Sequence, residues 1–190
     1  MTMRRTTCPQ CRKRLGEGER IHPDCVSAWA DTQAAKAERT KEKAIKTAAK
    51  EDRAETKRRK EKLKTERDWL NECQVIANRY ARVRDRKDGC ISCDKPASWD
   101  GQWHGSHFRS VGAASAVRLN LWNIHKACSV CNNHLSGNIA EYTPRLIDKI
   151  GAEKVEWLRA QNSVTRYGVE YLKRYKAVIG KRLRRMEKNC

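Results

Sequence analysis

The residues best equipped for chemistry fall between Cys90 and Asn138, where the sequence reads CISC, then QWHGSHF, then KACSVCNNHLSGN. Two C-x-x-C pairs, Cys90 with Cys93 and Cys128 with Cys131, offer four thiolates, which fill the tetrahedral shell of a structural Zn²⁺ and leave no open position. A metal held that way staples the chain and leaves the chemistry to others. The histidines and asparagines between and just after the pairs are free for it. An imidazole that ionises near pH ~6.5 can take a proton from water at neutral pH. An amide oxygen such as that of Asn132 can help hold a hard divalent ion, Mg²⁺ or Mn²⁺, whose remaining positions go to water and phosphate. These are the parts that phosphodiester hydrolysis needs: a base to activate water and a cation to stabilise charge on the phosphorane and the departing oxygen.

A second ligand set lies at the N-terminus, where Cys8 and Cys11 are followed by His22 and Cys25. Four ligands in two pairs, each with two intervening residues, predict another structural zinc. A stretch this short buries no useful core, so the metal supplies its folding energy. With nine cysteines and no apolar signal-peptide core in MTMRRTTCPQC, the chain reads as one that keeps its thiols reduced for metal ligation in the cytoplasm. Cys73, on an apolar helix face, is expected as core filler, and Cys190 as a thiol with no role.

The net charge of +19 and the isoelectric point near 9.9 point to a polyanionic partner, with nucleic acid the default. No apolar run approaches the roughly 18 residues of a membrane span, so no membrane partner is expected. Only 38% of the 190 residues are hydrophobic and 34% are charged, too polar a mixture for one core to use the whole chain.

Four segments must position these residues. Residues 1–26 form the N-terminal knuckle. Residues 27–68 are rich in Ala, Lys, Glu and Arg without Gly or Pro, which predicts a long charged helix; lacking an a/d heptad it is no coiled coil. Its Lys57, Arg58, Arg59, Lys60, Lys62 and Lys64 are candidate phosphate contacts, and a solvated spacer is the equal alternative. Residues 69–142 hold the core. Trp69, Cys73, Ile76, Tyr80 and Val83 mark one helix face, Thr65 with Asp68 a capping arrangement, and Asp88-Gly89 a left-handed stop. Strands are expected over 101–108 and 116–119, joined by the small residues of SVGAAS, with a helix starting in NNHLSGNIAEY. Trp99, Trp103 and Trp122 are expected in the core. Residues 143–190 read as a basic helical region: one helix from Thr143-Pro144 to Gly151, one over 153–159, and one over 165–188 with Val169, Leu172, Tyr175, Ile179 and Leu183 inward. Lys181, Arg182, Arg184 and Arg185 crowd its end, suited to the helix dipole and to DNA. The fold class is α+β, mostly helical, around a small zinc-stapled core.

Two strands and a helix held by a zinc, with His on the first strand and Asn at the helix start, resemble the ββα-metal core of the HNH nucleases. Cys90, Cys93, Cys128, Cys131 and the following Asn132 match the endonuclease VII branch. The resemblance implies that His107 is the general base, that Asn123 ties the intervening loop and that Asn132 ligates the catalytic ion. Where many HNH members carry Asp before the base, this chain has Ser106. His104, brought round by a bulge at Gly105, and His134 are the candidate second ligands; His125 is structural or phosphate-contacting. Over nearly the whole chain, the N-terminal knuckle, the basic helix, CISC, WHGSHFRSVGAA and NIHKACSVCNNHLSGN are similar to the NinG/Rap recombination proteins of lambdoid phages. That likeness implies a structure-selective endonuclease acting on D-loops and Holliday junctions in the host cytoplasm, with Arg109 and Lys126 added to the DNA contacts.

Two other readings use the same residues. A non-catalytic zinc module that binds nucleic acid would need the charge but no imidazole at a phosphate. A scaffold would use the long helix to gather other phage recombination proteins. Symmetric cutting of a four-way junction needs two active sites, which favours a homodimer.

Overall fold

The computed structural model describes residues 5–189; Cys190 lies outside them. The chain divides into two compact units, one ending at Leu63 and one beginning at Lys64. The division falls within the expected long-helix segment, and the expected core and C-terminal segments share the second unit.

In the first unit Thr7 bridges Arg14, and Cys8 N–H donates to Lys13 O at 2.8 Å, which folds the first knuckle into a tight turn. A 3-10 turn at Pro23–Cys25 leads into α1, Val26–Leu63. None of the residues of α1 is buried. Its exposed i,i+4 ion pairs, Glu42 with Lys46 and Glu55 with Arg59, contribute only about 0.3–0.5 kcal/mol each, so intrinsic propensity carries this helix.

The second unit opens with α2, Glu66–Arg84. Thr65 and Asp68 form the expected capping box, side chain to backbone in both directions. The buried face is Trp69, Cys73, Ala77 and Ala81, not the Ile76, Tyr80 and Val83 expected beyond Cys73. Small alanines win those positions because α2 lies close against the sheet: a Cβ on Gly105 would meet Asn78 at 2.8 Å. Cys73 is fully buried and its thiol donates to Leu172 O at 3.2 Å, the filler role expected.

The expected stop at Asp88-Gly89 is overturned. The helix ends at Arg84 because Asp85 is drawn inward: it is 2% exposed and accepts from Arg84 and from Lys126 N–H, with Lys149 at 2.9 Å. Gly89 has another use, since Lys95 O lies 2.4 Å from where its Cβ would stand. The turn of the second knuckle closes through that approach.

The sheet is a single antiparallel pair, β1 (Trp103–His107) and β2 (Ile124–Cys128), running from Trp103↔Cys128 to His107↔Ile124. The expected second strand at 116–119 is thus misplaced. Ser115–Val117 is a 3-10 turn, and all five residues of β2 are buried, which erases the alternation that marks a half-exposed strand. Nor does Gly105 form a bulge, for it pairs with Lys126 in an unbroken register.

After β2, α3 (Ser129–Asn133) is one short turn. The chain then passes through Ser136, Gly137 and Asn138, all at positive φ, before α4, Ile139–Ile150. Pro144 sits inside α4 instead of opening it. An interior proline costs about 3 kcal/mol, and Tyr142 and Leu146, both fully buried, hold the helix on either side. Gly151 ends α4 at φ 89, as expected. Next come α5 (Ala152–Ala160) and α6 (Val169–Lys188), which packs on α2 with Leu172 in one cluster with Trp69 and Cys73 and buries Ile179 and Leu183 as well. Residues 165–168, expected to be helical, are pulled away as Thr165 N–H donates to Ser115 Oγ and Tyr167 OH to the carbonyls of Ser115 and Ala116. Among the described residues no helix is long and apolar enough to cross a membrane.

Candidate functional site

The two cysteine-rich groups assemble as their spacing predicts. Cys90, Cys93, Cys128 and Cys131 converge, as do Cys8, Cys11, His22 and Cys25, with the ligand atoms of each set within 4.8 Å of one another. Sulfurs at tetrahedral corners about 2.3 Å from Zn²⁺ stand about 3.8 Å apart, and Cys93 Sγ to Cys128 Sγ is 3.8 Å. Backbone N–H groups of Ser92 and Cys128 point at Cys90 Sγ, and that of Cys131 at Cys128 Sγ, as thiolates in zinc knuckles require. In the first set His22 turns Nδ1 to Cys11 Sγ at 3.2 Å and keeps Nε2 on Arg14 O at 3.0 Å, which orients the ring as a ligand. Burial alone would raise the Cys8 thiol, but backbone N–H groups of Cys11, His22 and Gln10 outweigh it and bring it down to about 6. Both sets could hold zinc.

Between the knuckles the sheet sorts the histidines. Gly105 faces α2, and His107, two residues on, shares that face: its Nε2 lies 3.1 Å from Gln74 Nε2 and 3.1 Å from Arg118 O. Gln74 is itself committed, donating to Asn78 and accepting from Arg118 Nε at 2.9 Å. A carbonyl oxygen only accepts and an amide nitrogen only donates, so the two contacts ask for opposite tautomers; the one that gives Nε2–H to Arg118 O leaves the lone pair of the neutral ring on Nδ1. Burial, with some help from the Arg118 charge, holds the His107 pKa below its usual value against the opposing pull of the Arg118 carbonyl. The ring is therefore neutral at pH 7.

On the opposite face His104 meets α3, where Asn132 Nδ2 approaches His104 Nδ1 at 3.1 Å and donates to Asn133 Oδ1 at 2.9 Å. The structure joins these two candidate ligands and leaves His134 exposed at the end of α3. Among the described residues no third cluster of His, Cys, Asp or Glu suited to a metal accompanies them.

His107 also lines a cavity of about 300 Å³, with Phe108, Arg109, Ser110, Ala113, Ser136, Ile139 and Arg159. Its walls carry two guanidinium groups and no carboxylate, although Arg159 is itself paired with Glu156 at 2.7 Å. The start of α4 forms one edge at Ile139, adding the partial positive charge of a helix N-terminus. The left-handed run that shapes this wall is tied down: Gly137 N–H donates to Cys131 O and Asn138 Nδ2 to Ser92 O at 2.7 Å. Arg109 bonds Gln161 O and Asn162 Oδ1, yet its Nε is buried without a partner. A buried donor left unmet costs about 1–3 kcal/mol or more, and an anion in the cavity would meet that need.

Asn123 is fully buried and acts as a clasp. Its Oδ1 accepts Arg109 N–H at 2.7 Å, and its Nδ2 donates to Arg109 O and Val117 O. It thereby holds the β1–β2 loop that carries the Arg118 carbonyl. Gln74, Arg118, Ser110, Ser136 and Arg159 escaped the sequence reading. Arg118 acts through its backbone, and Gln74 differs in type from no other polar helix residue, so neither leaves a signal.

Two expectations, for Lys126 and Trp122, are corrected, and His125 takes the structural one of its two expected places. Lys126, expected at DNA, is 4% exposed, with Nζ over the Trp103 ring at 4.2 Å and donating to Arg86 O. His125 is buried against Tyr142 OH at 3.1 Å, a structural position with no access to phosphate. Trp122, expected in the core, is 43% exposed, whereas Trp99 and Trp103 do pack there. Lys57, Arg58, Arg59, Lys60 and Lys62 on α1 and Lys181, Arg182, Arg184 and Arg185 on α6 are exposed. Lys64 is held by Glu72 at 2.7 Å and by the Trp69 ring.

No solved structure matches the chain. Protein ninG of Escherichia phage lambda is 39% identical over 126 residues, 66% of this chain and 61% of that protein. Protein ninG of Salmonella phage P22 is 37% identical over the same shares. The chain thus spans about three-fifths of the length of these relatives. A family model described as Bacteriophage Lambda NinG protein matches residues 1–189, and by that match the chain belongs to the NinG family of phage proteins.

Proposed function

We propose that the protein is a metal-dependent endonuclease that cuts branched DNA recombination intermediates such as D-loops and Holliday junctions. The observation that carries this reading is His107. It is a buried imidazole 3.1 Å from the Arg118 carbonyl, in the wall of a cavity lined by two arginines and no acid; in the tautomer that gives Nε2–H to that carbonyl, Nδ1 is left basic. In this scheme a phosphate occupies the cavity against Arg109 and Arg159, and His107 Nδ1 accepts the proton of the attacking water. Asn123 keeps the loop closed so that the Arg118 carbonyl can orient the ring. His104 and Asn132, paired on the other face of β1 from His107, would hold a divalent ion, which when bound would supply charge stabilisation to a phosphate at that face. Their donor set of imidazole and amide, without a carboxylate, suits Mn²⁺ better than Mg²⁺. Zinc in the two knuckles is structural. The protein acts in the host cytoplasm as a homodimer, with two sites for the two cuts of a junction, alongside other phage recombination proteins.

The lack of a carboxylate beside Asn132 favours a second reading, a non-catalytic zinc module that binds DNA. Cleavage of labelled duplex, D-loop and four-way junction DNA, with and without Mg²⁺ or Mn²⁺, separates the two. Metal-dependent cutting of the branched substrates that disappears in His107→Ala supports the enzyme; tight binding with no cutting under any metal overturns it.

A further inference from the structure

Trp122 and Trp157 are both 43% exposed, although burying a large aromatic side chain is worth about 1.5–3 kcal/mol. They meet edge to face with ring centroids 6.0 Å apart, so at least one indole face stays uncovered by the other. Lys154 stands over the Trp122 ring at 5.2 Å. The two elements that carry these indoles are the ones that border the basic cavity. Trp122 precedes Asn123, whose amide clasps the backbone of Arg109. Trp157 lies on α5, which also carries Arg159 on another side of the helix, and Arg109 bonds the residues just past the end of that helix, Gln161 and Asn162. An exposed aromatic pair with a lysine over one ring, on a chain of charge +19, matches the two chemistries of an unpaired nucleotide: a flat π face and a phosphate.

We propose that Trp122 and Trp157 form a stacking platform for an unpaired base of single-stranded or branched DNA. This deepens the endonuclease reading and rests on it only in that the protein must bind DNA. The platform gives preference for branch points a physical source, because only DNA with unpaired bases offers a free face to an indole.

The test uses the full chain loaded with zinc and three labelled probes: a thymidine oligonucleotide, a blunt duplex and a four-way junction with unpaired bases at its centre. The Trp122→Ala/Trp157→Ala variant is expected to lose roughly ten-fold or more in affinity for the oligonucleotide and that junction. Duplex affinity should stay within about two-fold, and the salt dependence should not change because no phosphate contact is removed. The Trp122→Phe/Trp157→Phe variant keeps two stackable rings and is expected to stay near the parent, which separates loss of stacking from loss of fold. Equal weakening on all three probes, or none, overturns the platform. A drop in sedimenting mass of the alanine variant without DNA would also overturn it, by making the pair a contact between copies. If the parent binds none of the probes, the endonuclease reading falls too; if the parent binds and cuts while the alanine variant matches it, only the platform falls.

Discussion

His107 Nε2 and the Arg118 carbonyl oxygen stand 3.1 Å apart, and a proton on Nε2 given to that oxygen leaves Nδ1 to do the chemistry. His107→Ala should remove the water-activating base and lower the cleavage rate by about a hundred- to ten-thousand-fold. Junction affinity should persist, because the basic surfaces are untouched. Burial lowers the His107 pKa, so the neutral, active ring already dominates below pH ~6.5. The rate should climb with pH through that lowered value and be flat by neutrality. A rate that begins to rise only above pH 8 would remove His107 from the role.

Gln74 offers a finer check on the same ring. Gln74→Leu takes away the acceptor of Arg118 Nε and loosens the carbonyl that fixes the tautomer. The rate should fall by about ten-fold with KM for junction DNA unchanged. An equal change in KM would mean that Gln74 serves binding.

Metal analysis should return two zinc ions per chain. Structural zinc in finger-like sites contributes about 10–16 kcal/mol, comparable to the whole stability of a typical domain. Cys90→Ser should therefore unfold the unit that begins at Lys64. Cys8→Ser should leave that unit's near-ultraviolet spectrum intact and lose one zinc. A Cys8→Ser protein that still carries two would remove the N-terminal assignment.

What could be read in the sequence was whatever is written in residue type at fixed spacing. Both sets of candidate zinc ligands, the Thr65–Asp68 cap and the inward stripe of α6 belong here, since each depends on a local pattern; the loop-tying place of Asn123 came only through the resemblance. The strand at 124–128 was hidden because both its faces are buried, leaving no alternation to detect. The end of α2 was hidden because a charged residue, Asp85, points inward, where its partners come from β2 and α4. The Arg118 carbonyl and the buried Nε of Arg109 are likewise products of tertiary closure, and composition carries no trace of either.

Acid should loosen the protein in two stages. His125 is driven down to about 3 by burial first and then by the Arg84 and Lys149 charges, against the favourable pull of Asp85. The unfolded chain takes up this proton near pH ~6.5 and the folded one does not. The stability His125 contributes is present above that pH and drains away as pH falls toward 3. Asp85 is buried, which alone would raise its pKa, but Arg84 and Lys149 hold it at about 2. Its contribution is present above pH ~3.9 and is lost below. The unfolding midpoint of the parent should fall between pH 6.5 and 4.5 by more than that of His125→Gln, a comparison that cancels any loss of zinc. Parallel curves would assign the acid sensitivity to the knuckles alone. Asp85→Asn at pH 7 should cost about 1.5–3 kcal/mol, since a buried carboxylate that accepts from Arg84 and from Lys126 N–H loses its charge, while Lys149, partly exposed, keeps Asp88.

The two basic surfaces make separable predictions because one contains a committed residue. Lys181, Arg182, Arg184 and Arg185 are exposed on α6, and none holds an ion pair among the described residues. Each one that touches a phosphate adds about 0.9 to the slope of log affinity against log salt. Reversing all four charges should weaken duplex, single-stranded and junction DNA alike, reduce that slope by up to about four, and leave thermal stability nearly unchanged. On α1, reversal of Lys57, Arg58, Lys60 and Lys62 should act in the same way if the helix follows phosphates and change nothing if it is a spacer. Lys64 must behave differently. It pairs with Glu72, which Lys176 also holds, and lies over Trp69, so Lys64→Glu sets two carboxylates together on the buried flank of α2. That variant should lose stability first and DNA affinity only as a consequence. A Lys64→Glu protein of parental melting temperature and reduced affinity would instead make Lys64 a direct phosphate contact and the Glu72 pair a resting state that DNA displaces.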